Sequence, residues 1–197
     1  MSSKLSPEEG ELLIKIARTE ITNRLREKSN LSLSSISPSL IQSNPFLYEK
    51  GCLFVTLTKN NKLRGCIGFV EPIFSILEAT KNASVSSAFN DPRFPPLTKD
   101  ELSSIKIEIS YLSPFEKILA KTKDELLSSI TLGIDGILLK KGPYSALFLP
   151  QVATEWGFSK EEFLANLCIK AGLNAKAWQN ISEMEFYKFQ IQLFKEI

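Results

Sequence analysis

Two eight-residue segments, Cys52 to Lys59 and Lys62 to Phe69, are separated by Asn60-Asn61 alone. Paired asparagines tolerate the left-handed backbone of a tight turn, so this stretch commits the chain to an antiparallel hairpin. The register decides which side chains meet. A two-residue turn pairs Val55 with Cys66 and Leu57 with Arg64, which sets a cation on the face of Leu53, Val55 and Leu57. A turn of odd length pairs Val55 with Gly65 and Leu57 with Leu63. It gathers Leu53, Val55, Leu57, Leu63 and Ile67 on one face and leaves Arg64 and Cys66 beside Phe54, Thr56 and Thr58. The second register keeps the charge out of the core and is the one expected.

Within this hairpin the run Leu63-Arg64-Gly65-Cys66-Ile67-Gly68 then carries a guanidinium and a thiol two residues apart on one side of a strand. A nearby cation favours thiolate over thiol, which makes Cys66 a candidate nucleophile, redox thiol or acceptor of modification, with Arg64 to orient it or bind an anion. The competing role is packing. Cysteine is among the most commonly buried residue types, and Gly65 and Gly68 would then serve the close approach of another backbone.

The absence of histidine narrows the chemistry further. Ser-His-Asp and Cys-His nucleophile systems, HExxH hydrolases and imidazole metal sites are all excluded. Proton transfer is left to carboxylate, lysine, tyrosine, thiol or water. Cys52, Cys66 and Cys168 are an odd number without CxxC spacing, so they are expected as free thiols rather than as disulfides or zinc ligands. No motif calls for a cofactor or a metal, and none is expected. With 24 Lys and Arg against 22 Asp and Glu, the net charge is +2, so nucleic acid binding would need a local patch. Neither a secretion signal nor a run of about 20 apolar residues is present, which points to a cytoplasmic protein without a membrane partner.

Elsewhere the punctuation is regular. Ser6, Pro7 and Glu9 open an amphipathic helix over residues 6–26, with Leu12, Leu13, Ile16, Ala17, Ile21 and Leu25 on one stripe. The stretch from Glu27 to Pro45 reads as a loop anchored by Leu31, Leu33, Ile36 and Leu40. Pro72 opens a small-residue helix to about Phe89, and a proline-rich loop, Asn90 to Leu97, follows. Thr98 and Glu101 form a capping box before a half-buried strand over Ile105 to Tyr111. A short helix is expected at Lys123 to Ser129, and a second hairpin joins Ile134–Lys141 to Tyr144–Leu149. Helical pieces follow at Gln151 to Trp156 and after Ser159. Glu183 to Glu196 reads as one strand whose apolar parity changes, which predicts a bulge near Tyr187-Lys188.

Four blocks in this order, Leu63 to Gly68, Asn90 to Leu97, Leu149-Pro150-Gln151-Val152 and Phe163 to Cys168 with Lys170 to Leu173, resemble the AMMECR family. The resemblance covers most of the chain. It implies a single domain over residues 1–197 of α+β class, a mixed or antiparallel sheet with flanking helices. Two unequal lobes are implied, the larger built from both chain ends and the smaller from a mid-chain segment. Prokaryotic members resemble the first component of a three-part system with a Memo-like protein and a radical S-adenosylmethionine enzyme, and those proteins are the partners implied. One departure stands out, because family members often carry His where this chain has Asn166.

Two functions fit these residues. In the first, an enzyme or substrate carrier uses Cys66 as the reacting group with Arg64, while Asn90, Asp91 and Arg93 shape the rim and Gln151 supplies neutral hydrogen bonds. In the second, the same cleft is a binding module that recognises a protein segment or RNA through Arg64 and Arg93. Asp91 and Arg93 could equally cap a turn and pair with each other, and Gln151 could merely end a strand edge. Trp156 and Trp178 are expected as packing residues. The sequence does not fix an oligomeric state.

Overall fold

In the computed structural model, which describes residues 4–27 and 36–196, the elements follow in chain order. They are α1 (Pro7–Glu27), α2 (Pro38–Gln42), β1 (Cys52–Lys59), β2 (Lys62–Phe69), α3 (Ile76–Phe89), β3 (Ile105–Leu112) and β4 (Glu116–Lys117). After these come α4 (Lys123–Ser128), β5 (Gly136–Lys141), β6 (Tyr144–Phe148), α5 (Gln151–Trp156), α6 (Lys160–Lys170), β7 (Glu185–Phe189) and β8 (Ile191–Lys195). The expected anchors Leu31 and Leu33 lie outside the described residues. The class is α+β with two four-stranded sheets, ordered β2-β1-β3-β8 and β4-β7-β5-β6. Contacts divide the chain into one unit of Met1–Leu112 with Gln192–Ile197 and another of Ser113–Ile191, so the first draws on both chain ends.

The first hairpin starts in the two-residue-turn register and then shifts to a pairing that neither register weighed above contains. Asn60 and Asn61 take left-handed φ values of 52° and 58°, and Lys59 pairs with Lys62 across a two-residue turn. Thr58 then pairs with Leu63, but Leu57 pairs with Gly65, Thr56 with Cys66 and Val55 with Ile67. Arg64 is therefore the extra residue of a β-bulge, and the bulge, not the turn, changes the parity. This corrects the expected odd turn. Leu53, Val55, Leu57 and Ile67 share a face as expected, and Cys66 stands with Phe54 and Thr56 on the other. Leu63, expected in the core, is 45% exposed.

Helices α1 and α3 pack on the apolar side of this sheet against Leu53, Val55, Leu57, Ile107 and Ile109. The start of α1 is fixed by its capping box: Ser6 N–H donates to Glu9 Oε2 at 2.7 Å and Glu9 N–H donates to Ser6 Oγ at 3.2 Å. The stripe of Leu13, Ile16, Ala17 and Ile21 is fully buried. The chain ends are tied to each other: Leu5 N–H donates to Gln192 Oε1 at 2.7 Å, and Arg18 Nε donates to Glu196 Oε1 at 2.8 Å. Helix α3 starts at Ile76 rather than at Pro72, because Ser75 and Glu78 form the capping box there. Within the stretch expected as loop, the described part holds α2 and a 3-10 turn, Pro45–Tyr48, each led by a proline.

In the second unit Phe163, Leu164, Leu167 and Cys168 of α6 are fully buried in a core shared with Ile137 and Leu139 of β5. Strand β5 begins at Gly136, not Ile134, because Asp135 accepts from Thr131 N–H and closes a turn there at 2.8 Å. The predicted terminal strand is two strands. It breaks at Gln190, with β7 in one sheet and β8 in the other, so the parity change marks a change of sheet instead of a bulge at Tyr187-Lys188. Trp178 is 5% exposed as expected, whereas Trp156 is 72% exposed and is not a packing residue. No helix among the described residues is long and apolar enough to cross a membrane.

Candidate functional site

Strand β2 is an edge of its sheet, and the glycines of its hexapeptide are explained by what touches them. A Cβ on Gly65 would stand 2.1 Å from the Ser87 carbonyl oxygen of α3, and one on Gly68 would meet Leu53 O and the Phe54 ring, each at 2.4 Å. The contact at Gly65 lets Ser87 enter the ladder. Its hydroxyl accepts from Ile67 N–H at 2.9 Å and donates to Val55 O at 2.7 Å, bridging two register partners. Helix α3 thereby fixes the strand that carries Cys66.

Cys66 is half-buried, and Thr56, its register partner, donates a hydroxyl to its sulfur at 3.3 Å. Its main chain is held by side chains of the proline loop. Cys66 N–H donates to Asp91 Oδ2 at 2.9 Å, and Arg93 Nη2 donates to Cys66 O at 3.0 Å. Arg93 also grips Asp91, with Nε to Oδ1 at 2.9 Å and Nη2 to Oδ2 at 2.7 Å, while its own N–H closes a turn onto Oδ1 at 3.1 Å. The pair thus occupies the edge where a further strand would bind. The Arg93 guanidinium holds the buried Asp91 carboxyl well below the usual carboxylate range, and Asp91 in turn raises Arg93, with a smaller contribution from Cys66. Asn90 is the exposed C-cap of α3 and leads the chain into this loop.

Arg64 is elsewhere engaged. It is 9% exposed and forms a bidentate pair with Glu101, Nε to Oε1 and Nη2 to Oε2 both at 3.0 Å. Lys59 Nζ reaches the same carboxylate at 3.0 Å, and Thr98 N–H donates to it at 3.1 Å. Arg64 first, then Lys59, keeps the Glu101 carboxyl well below its ordinary range against the opposing effect of burial. The Arg64 Nη1 is buried with no hydrogen-bond partner among the described residues. The guanidinium that bonds at Cys66 is therefore that of Arg93, and the expected Arg64–Cys66 pairing is replaced.

Burial pushes the Cys52 thiol up to about 11, with Glu71 adding to the effect, and burial also raises Cys168. Cys66 is the thiol of the three that reaches solvent. Gln151 opens α5 in the second unit, its Oε1 buried without a hydrogen-bond partner among the described residues, and the bonds to Cys66 given above come from the first unit. Among the described residues no cluster of three His, Cys, Asp or Glu could hold a metal ion. Ser87 and Glu101 are the residues that sequence reasoning missed. Glu101 was legible only as a cap for Thr98, although an arginine in an apolar strand demands a counter-charge.

A thiol with a hydroxyl aimed at its sulfur, a fixed main chain and a half-exposed guanidinium alongside can act as a nucleophile toward a small electrophile. A family model described as AMMECR1 matches residues 14–194. A protein of Methanothermobacter thermautotrophicus is 43% identical over 192 residues, which cover 98% of this chain and 96% of that protein. PH0010 of Pyrococcus horikoshii is 40% identical over 201 residues, covering 100% of this chain and 94% of its own length. The crystal structure of that uncharacterized protein matches with a TM-score of 0.82 over 98% of this chain and 93% of that chain. On these matches the chain belongs to the AMMECR1 family.

Proposed function

We propose that the first unit carries a thiol site in which Cys66 is the reacting group of an enzyme or substrate carrier. The observation that supports this reading most is that the one cysteine of three open to solvent is also the one whose sulfur, N–H and C=O are each bonded by a different side chain. Packing alone needs none of these bonds. In the reaction, the thiol gives its proton to water and the sulfur bonds to an electrophilic carbon of the substrate, whose leaving group departs with the electron pair of the broken bond. Thr56 O–H stabilises charge on the sulfur, and Arg93, with 54% of its side chain exposed, attracts an anionic substrate. In this reading the site works in the cytoplasm with the Memo-like and radical S-adenosylmethionine proteins that the family resemblance implies.

Iodoacetamide labelling of the folded chain, read by peptide mass spectrometry, tests the proposal. Cys66 should label at least about tenfold faster than Cys52 and Cys168, and Arg93→Ala should slow it severalfold. Equal protection of all three cysteines overturns the reading. The alternative is a non-catalytic module that recognises a protein segment or RNA through the same surface, favoured by the exposed Arg93 guanidinium lying 5.6 Å from the Phe94 ring centroid. A Cys66→Ser chain that keeps full function in a cell dependent on it, while Arg93→Ala does not, selects that module.

A further inference from the structure

Trp156 is the largest side chain that the fold leaves in water, at 72% exposure. It ends α5, and the next residue, Gly157, turns the chain through a left-handed φ of 65° before Ser159 caps α6. Phe158 anchors this corner: its N–H donates to Ala153 O at 3.0 Å and its ring packs against the second core. The indole stacks on that ring, centroids 6.2 Å apart and planes 15° from parallel. The Phe158 ring thus bounds the indole on one side and leaves most of it open to a partner.

The charges around this patch choose its occupant. Glu155 precedes the tryptophan, and Glu161 and Glu162 lie in the first turn of α6, all exposed. Glu162 serves the Ser159 cap, which lowers its pKa and so keeps it charged. Lys160, the cation of this corner, donates its Nζ to Leu127 O at 2.7 Å. An electron-rich indole with three exposed glutamates within six residues of it in the chain attracts a cation and repels phosphate, so nucleic acid and anionic lipid are disfavoured. We infer that the Trp156–Phe158 stack is a docking site for a basic segment of a partner protein, with an arginine or lysine laid over the indole. This site is independent of Cys66 and stands whether or not the thiol reacts.

The test uses the full chain and a fluorescein-labelled peptide of alternating leucine and arginine, read by anisotropy. Saturable binding is expected, weakened about tenfold by Trp156→Ala and about threefold by Glu155→Gln with Glu161→Gln, with Trp156→Phe retaining most of it. Emission of the buried Trp178 reports whether the Trp156→Ala chain is folded. The inference is overturned if the leucine–glutamate counterpart binds equally well, if Trp156→Ala leaves the affinity unchanged, or if no saturable binding occurs. It is equally overturned if a labelled oligouridylate, or a second copy of the chain in sedimentation, takes the Trp156 surface while the basic peptide does not.

Discussion

Arg64 with Glu101 and Arg93 with Asp91 are both bidentate pairs of the first unit, but they leave their guanidinium groups with different tasks. In the first pair both side chains are nearly closed to water, at 11% and 16%, and the cation is spent on the carboxylate. In the second the carboxylate is buried at 2% while 54% of the arginine side chain stays in solvent. Asp91 and Arg93 also divide between them the N–H and C=O of Cys66. The lesson concerns proximity in sequence. Arg64 is two residues from the thiol, yet the bulge takes it out of the row that Cys66 shares with Thr56, and a residue 27 positions away supplies the cation.

If that division is right, disrupting each pair should fail differently. Arg64→Ala leaves Glu101 mostly buried with Lys59 and the Thr98 cap to answer it, and should cost about 3 kcal/mol of stability in urea titration. Cys66 labelling of the folded protein should be little changed. A stability loss under about 1 kcal/mol would mean that water, not Arg64, satisfies this carboxylate. Asp91→Asn keeps a hydrogen-bond acceptor for Cys66 N–H but loses the charge opposite Arg93. The expected loss is about 2 kcal/mol, now accompanied by altered Cys66 labelling, which hydrogen exchange at the Cys66 amide would check as faster local opening.

Acid weakens both pairs with the same sign. Both carboxyls are held below the ordinary range, Glu101 chiefly by Arg64 and Asp91 chiefly by Arg93. The unfolded chain therefore takes up protons first as the pH drops. Stability from these groups is complete above about pH 5 and is lost as the pH falls through the ordinary carboxylate range, about 4, toward the folded values. Each group contributes a slope of at most about 1.4 kcal/mol per pH unit. Urea midpoints of Arg64→Ala measured from about pH 5 to about pH 2 should fall less steeply than those of the unaltered chain, because the largest part of the Glu101 share is gone. Parallel slopes would place that share on Lys59.

The sequence was most legible where local chemistry decides the outcome. The capping residues at Ser6 stand where the pattern put them, α6 starts directly after Ser159, and β1 and β2 match to the residue. Legibility ended where one element answers to another distant in the chain. No local pattern announces that Ser87 will bridge the ladder, since its partner atoms belong to residues 32 and 20 positions away. Nor does alternation alone reveal that the final strand leaves one sheet for another, because a bulge and a sheet change produce the same parity shift. At the thiol, Thr56 and Asp91 were within reach of pattern reasoning, while the exchange of Arg64 for Arg93 required knowing where the bulge falls.

The smallest expected effect isolates the Thr56 hydroxyl that donates to the Cys66 sulfur. Thr56→Val keeps the β-branched shape at a half-buried strand position and removes only the donor to Cys66 Sγ. Because a single exposed-face hydrogen bond contributes little net stability, the urea midpoint should move by less than about 0.5 kcal/mol. Charge developing on the sulfur nevertheless loses a stabilising partner, so Cys66 alkylation at fixed pH should slow about threefold, less than on removal of Arg93. Labelling unchanged in Thr56→Val but slowed in Arg93→Ala would assign the sulfur's environment to the guanidinium alone. The reverse would make Arg93 a strand clamp like Arg64 and dissolve the contrast between the two pairs.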